Sequence, residues 1–122
     1  MEISNAHLRY LLAIQELSMI SPEVSSAGVA RLLGVTKPSV TIMTDALVKR
    51  ELVQKERYGK IMLTERGKAE AVRFGRKVDA VRGRLPLLGI RMTDQEMMEA
   101  ACMLAGILSE EALGLDGSPE LP

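Results

Sequence analysis

Between residues 26 and 50 the chain reads SAGVARLLGVTKPSVTIMTDALVKR, and its apolar positions recur in two helical phases separated by a glycine. Val29, Leu32 and Leu33 stand at i, i+3 and i+4, which predicts a short helix from about Ala27 to Leu33 with one face to bury. Gly34 ends it, since glycine takes the left-handed conformation that closes a helix at little cost. Thr36 is placed to cap the next helix with its hydroxyl, and Pro38 falls in the first turn, where a missing N–H does no harm. Val40, Met43, Ala46 and Leu47 continue the apolar stripe. Two short helices around a tight turn make a helix-turn-helix. Lys37, Ser39, Thr41 and Thr44 lie off the stripe and are small or basic, so the outer face suits a DNA major groove. The alternative is an ordinary helical hairpin within another α domain.

The flanking segments enlarge this pattern. Residues 5–20 carry Leu8, Leu11, Leu12, Ile14 and Leu17 on a broad apolar side, and Ser21-Pro22 stops that first helix because the residue before proline avoids helical angles. After the helix-turn-helix, Leu52 to Lys55 and Lys60 to Leu63 are strand candidates joined by Arg57-Tyr58-Gly59, the length and composition of a β-hairpin. Helix, helix-turn-helix and basic-tipped hairpin follow one another in winged-helix order, the hairpin being the wing. Thr64 is a candidate cap for a long helix in which Ala71, Phe74, Val78, Val81 and Leu85 recur at spacings of three and four. Pro86 and Gly89 break it. Thr93 is a candidate cap for a last helix reaching about Leu113, with Met97, Ala100, Ala101, Leu104, Ile107 and Leu108 as its apolar stripe. The fold class expected is mostly α: a winged helix-turn-helix over 1–64, a two-helix dimerisation segment over 65–113, and a disordered tail over 114–122. The dimer interface is expected at Phe74, Val78, Val81, Met97, Ala101, Leu104, Ile107 and Leu108.

Composition narrows the class. The 122 residues suffice for one domain or a small domain with a helical appendage. Hydrophobic residues make up 47%, with one Phe, two Tyr and no Trp, so the core is aliphatic and Met-rich. There is no apolar run of membrane-spanning length and no secretory pattern, which predicts a cytoplasmic protein. One cysteine excludes an internal disulfide and a thiolate-rich metal site. The formal charge is zero, yet residues 37–84 hold 13 Lys+Arg against 6 Asp+Glu while residues 85–122 hold 1 against 7. A basic stretch balanced by an acidic tail suggests one surface facing a polyanion.

With this layout the chain resembles the metal-dependent repressors related to the diphtheria toxin repressor and the manganese transport regulator. The similarity lies in Arg9-Tyr10-Leu11 through Glu16-Leu17, Val29-Ala30 through Leu33, the turn from Val35 to Thr41, Leu63-Thr64 through Gly67-Lys68, and Leu88-Gly89. The resemblance implies a homodimer made by the two-helix segment, and a divalent ion such as manganese or iron(II) between that segment and the first helix. The ligand positions it implies fall on Arg9, Leu12, Val78, Cys102, Ala105 and Gly106. Of these only Cys102 carries a donor, and a divalent ion needs several. The expectation is therefore no metal cofactor, with a rearranged site of His7, Asp79, Glu99 and Cys102 as the alternative.

The leading reading is a homodimeric regulator that binds double-stranded DNA, with Thr36, Lys37, Pro38, Ser39, Thr41 and Thr44 on the recognition helix and Arg57, Tyr58 and Lys60 on the wing. Its competitors are a metal-responsive repressor using the rearranged site and a winged helix that docks another protein. No nucleophile–base pair, phosphate loop or paired carboxylates support an enzyme.

Overall fold

The computed structural model describes residues 3–117, which form five helices and one two-stranded hairpin. They divide into two compact units, the first ending at Val72 and the second beginning at Arg73.

The first unit begins with α1 (Asn5–Ile20), held at its start by a capping box in which the Ser4 hydroxyl accepts from His7 N and the His7 ring accepts from Ser4 N. Ser21 leaves in extended conformation ahead of Pro22, as the sequence predicts. Next, α2 (Ser26–Leu33) is capped by Ser25, and Gly34 closes it at φ 68°. α3 (Lys37–Lys49) starts from Thr36, whose Oγ1 accepts from Ser39 N, with Pro38 in the first turn. The stripe on α3 is buried at Val40 and Leu47, as expected from its period. On α2, Val29 and Ala30 are buried, whereas Leu32 is exposed. Leu33 packs against the core as expected, so Val29 and Leu33 keep the expected face and Ala30 takes the inward place given to Leu32.

Strands β1 (Val53–Lys55) and β2 (Ile61–Leu63) pair antiparallel, with Val53 opposite Leu63 and Lys55 opposite Ile61. Val24 adds an isolated bridge to the free edge of β2, its carbonyl accepting from Ile61 N at 2.9 Å. Tyr10, Leu11 and Ile14 of α1, Val29 of α2, Val40 and Leu47 of α3, and Leu52, Val53 and Ile61 of the hairpin form one core. α4 (Glu65–Arg84) begins on this unit. Thr64 caps it by accepting from Gly67 N at 3.0 Å while donating to Glu51 O at 2.7 Å. Ala71 belongs to the same core, so the first turns of α4 pack with the winged helix.

In the second unit α4 runs on to Arg84, followed by a 3-10 turn (Leu85–Leu88) closed by Gly89 at φ 72°. Thr93 and Glu96 form the capping box of α5 (Asp94–Ile107). Here the sequence reading needs correction, because α5 ends at Ile107 rather than near Leu113. Leu108 is extended and the Ser109 hydroxyl accepts from Ala112 N at 3.0 Å, starting a separate turn. Glu110 and Glu111 would also stand against the negative carboxyl end of a longer helix. Leu113 is buried, and its carbonyl accepts from an Arg84 guanidinium N–H at 3.3 Å. Of the expected tail, Gly114 to Gly117 lie in turn and bend, and 118–122 lie outside the described residues. No helix among the described residues is long and apolar enough to cross a membrane.

Candidate nucleic-acid interface

The outer face of α3 is set by the turn before it and the core beneath it. With Val40, Thr44 and Leu47 inward, the exposed stripe is Lys37, Pro38, Thr41, Ile42, Asp45, Val48 and Lys49, with Ser39 exposed at its side. Lys37, Pro38, Ser39 and Thr41 are therefore where the sequence reading put them, and Thr36 is exposed at the amino end. Thr44 is not. It is fully buried, and its hydroxyl donates to Val40 O at 2.8 Å from inside the core. Thr44 lies one helical turn after Val40 and three residues before Leu47, so it shares their face; its polarity had hidden that phase. Ile42, absent from the expected set, is 73% exposed in the middle of the face.

The wing tip is a single 3-10 turn (Arg57–Gly59) with Glu56 N donating to Lys60 O at 2.8 Å. Tyr58 takes φ 66° and is 99% exposed, so the turn projects its ring into solvent beside the exposed Arg57. A tyrosine in the left-handed region costs local strain. Lys60 is drawn elsewhere: its Nζ pairs with Glu23 Oε1 at 2.9 Å, and this hydrogen bond raises its pKa above the usual lysine value. Lys60 thus fastens the wing to the segment ahead of α2. Lys55 pairs with Asp45 at 2.8 Å, tying β1 to α3 and neutralising the one carboxylate on the exposed stripe.

The residues expected at a dimer interface separate into two groups. Phe74, Val78, Val81 and Ala101 are already buried within the single chain, which leaves them little surface to bury against a second copy. Met97 and Leu108 are half-buried, while Leu104 and Ile107 are exposed. The sequence reading missed other apolar side chains that the second unit leaves in solvent: Leu87, 83% exposed, with Leu88, Ile90 and Met103.

The rearranged metal set does not assemble within either unit. His7 is committed to the α1 capping box, with Ser4 Oγ 2.7 Å from Nδ1; burial first, and then the Arg50 charge, lower its pKa. Cys102 is buried with Sγ 3.8 Å from Met98 Sδ, and Asp79 and Glu99 are exposed. Among the described residues no three His, Cys, Asp or Glu side chains gather as a metal site would require.

In fold, the first unit is a winged helix-turn-helix. No protein-family model and no curated protein matches the chain. Solved structures do. The manganese regulator SloR is 27% identical over 96% of this chain and 54% of its own, with a TM-score of 0.76. The manganese-activated repressor ScaR, in its apo form, is 28% identical over 89% of this chain and 52% of its own, at 0.65. The transcriptional repressor CouR, solved with p-coumaroyl-CoA, is 30% identical over 87% of this chain and 73% of its own, at 0.56. The chain is similar in structure to the metal-dependent repressors of diphtheria-toxin-repressor type, and it spans about half the length of SloR and ScaR.

The divalent ion that this similarity implies does not suit the residues present. Leu12, Val78, Ala105 and Gly106 have no donor atoms, and Arg9 brings a positive charge to a matched ligand position. A single thiol supplies too few donors to retain a divalent ion.

Proposed function

We propose that this chain is a homodimeric DNA-binding transcriptional regulator of winged-helix type that works without a divalent metal. The observation that carries this reading is the exposed face of α3, opened by Lys37 at its amino end and accompanied by Arg57 and Tyr58 at the wing tip. Backbone N–H groups and a cation at a helix start suit phosphate, and a wing tip bearing a cation and an aromatic ring suits the adjoining backbone or minor groove. The relatives in structure are regulators rather than enzymes. Homodimerisation is supported by the large apolar side chains of Leu87, Leu88, Ile90, Met103, Leu104 and Ile107, which the second unit leaves exposed.

The experiment is binding to the duplex upstream of the protein's own coding region, measured as a function of salt. Lys37→Ala and Arg57→Ala should each weaken binding across sequences and reduce the salt slope by about one unit, the signature of one lost phosphate contact. If both variants keep the affinity and slope of the wild type, the DNA surface lies elsewhere. A wild-type interaction indifferent to salt would favour a winged helix that docks protein.

Metal independence has its own measurement. EDTA-stripped protein titrated calorimetrically with manganese, iron(II), cobalt and zinc should show no stoichiometric micromolar binding, and operator affinity should be unchanged in EDTA. Micromolar binding coupled to tighter operator affinity would restore His7, Asp79, Glu99 and Cys102 as candidates.

A further inference from the structure

The recognition helix uses its hydroxyls on itself. Thr36 Oγ1 accepts from Ser39 N at 3.2 Å and lies 2.9 Å from Ser39 Oγ, while Thr41 Oγ1 donates to Lys37 O at 3.2 Å. Thr44 is inside, and the Asp45 carboxylate is bound to Lys55. The polar groups best placed to read base edges are thus already engaged locally. The middle of the face offers apolar surface instead: Ile42, 73% exposed, one helical turn beyond the exposed ring of Pro38. Folding gives no reason for that isoleucine, since a β-branched side chain is a middling helix former and one left in water buries little.

The major groove presents one apolar group, the C5-methyl of thymine, and aliphatic side chains on a recognition helix are its complement. We propose that Ile42, with Pro38 one turn before it, is a specificity-determining residue that reads thymine methyl groups, so that each half-site carries thymine beneath the middle of α3. The inference rests on the DNA-binding reading above and names what that surface prefers. It also explains why a face poor in free donors can still discriminate: the methyl group marks thymine by shape rather than by hydrogen bonding.

The test uses the full chain and duplexes enriched from a random-sequence library, in which single thymines are then replaced by deoxyuridine, removing only the methyl group. The enriched duplexes should hold thymine at a fixed position in each half-site. Replacement there should weaken the wild type about fourfold, the scale of one buried methylene. Ile42→Ala, a change at an exposed position that leaves the core intact, should bind the thymine and deoxyuridine duplexes equally and retain the salt-dependent affinity for unrelated DNA. Equal sensitivity to deoxyuridine in both proteins, or enrichment without a fixed thymine, overturns the role of Ile42 while leaving DNA binding in place. If the library yields no retained duplex even at low salt, the DNA-binding reading falls and this inference with it.

Discussion

Gly67→Ala is expected to destabilise the protein by about 3 kcal/mol, although alanine is the better helix former. Gly67 lies in the first turn of α4, where a Cβ would fall onto the Leu52 carbonyl oxygen and 3.0 Å from its carbon. That oxygen cannot swing aside, because it accepts from Thr64 N at 3.1 Å and belongs to a buried residue of the core. The start of α4 must therefore lift from the hairpin, or the hairpin must shift. Either movement strains the Thr64 cap, whose hydroxyl bonds Gly67 N. Thermal melting should show a fall of roughly 10 °C for a loss of that size in a chain of this length. Gly83→Ala, on the same helix at an exposed position with no atom within 4 Å of the added carbon, should do the opposite and gain up to about 1 kcal/mol. A Gly67→Ala protein that melts with the wild type would mean the close approach of α4 to Leu52 is relaxed in solution.

Ile107→Asp is expected to abolish dimerisation while leaving the fold intact. Ile107 is 76% exposed at the end of α5, so in the monomer the aspartate is simply solvated. In an isologous dimer both copies would carry it into the interface, and an unpaired buried charge costs roughly 3–5 kcal/mol. At 1.4 kcal/mol per decade, dimer affinity falls by at least about a hundredfold. Analytical ultracentrifugation at tens of micromolar should give a dimer for the wild type and a monomer for the variant, with unchanged circular dichroism. A monomeric wild type would sink the dimer proposal, and a dimeric variant would move the interface away from the end of α5.

Most of the fold was legible from the sequence because it rests on local signals. Gly34, Thr36, Pro38, Pro22 and Thr64 punctuate the chain where their conformational preferences require, and the spacing of Ala71, Phe74, Val78, Val81 and Leu85 gave one buried seam. What periodicity cannot supply is the partner of each stripe. Phe74, Val78 and Val81 were assigned to a second copy but are covered within the chain, because spacing reports which residues share a face and not what packs on it. Thr44 was assigned to the outer face for its polarity but lies inside, while Ile42, two residues earlier and absent from the expected set, is exposed on that face, so side-chain polarity alone did not report which way either points. The end of α5 was missed because apolar residues continue past Ile107, and only Ser109 with the two acids after it signals the stop.

The bridge from Val24 to Ile61 changes how this wing meets a ligand. Two strands of three residues are too short to hold themselves in water, yet here the outer edge is closed by a third stretch of backbone and by the Glu23–Lys60 ion pair. On the DNA-binding reading proposed above, the hairpin would arrive at a duplex already shaped, and association would forfeit little conformational entropy. Binding should then be limited in rate by charge-guided diffusion rather than by ordering of a loop. The protein should also tolerate poorly any site whose groove spacing differs from the one its wing and helix are built to span.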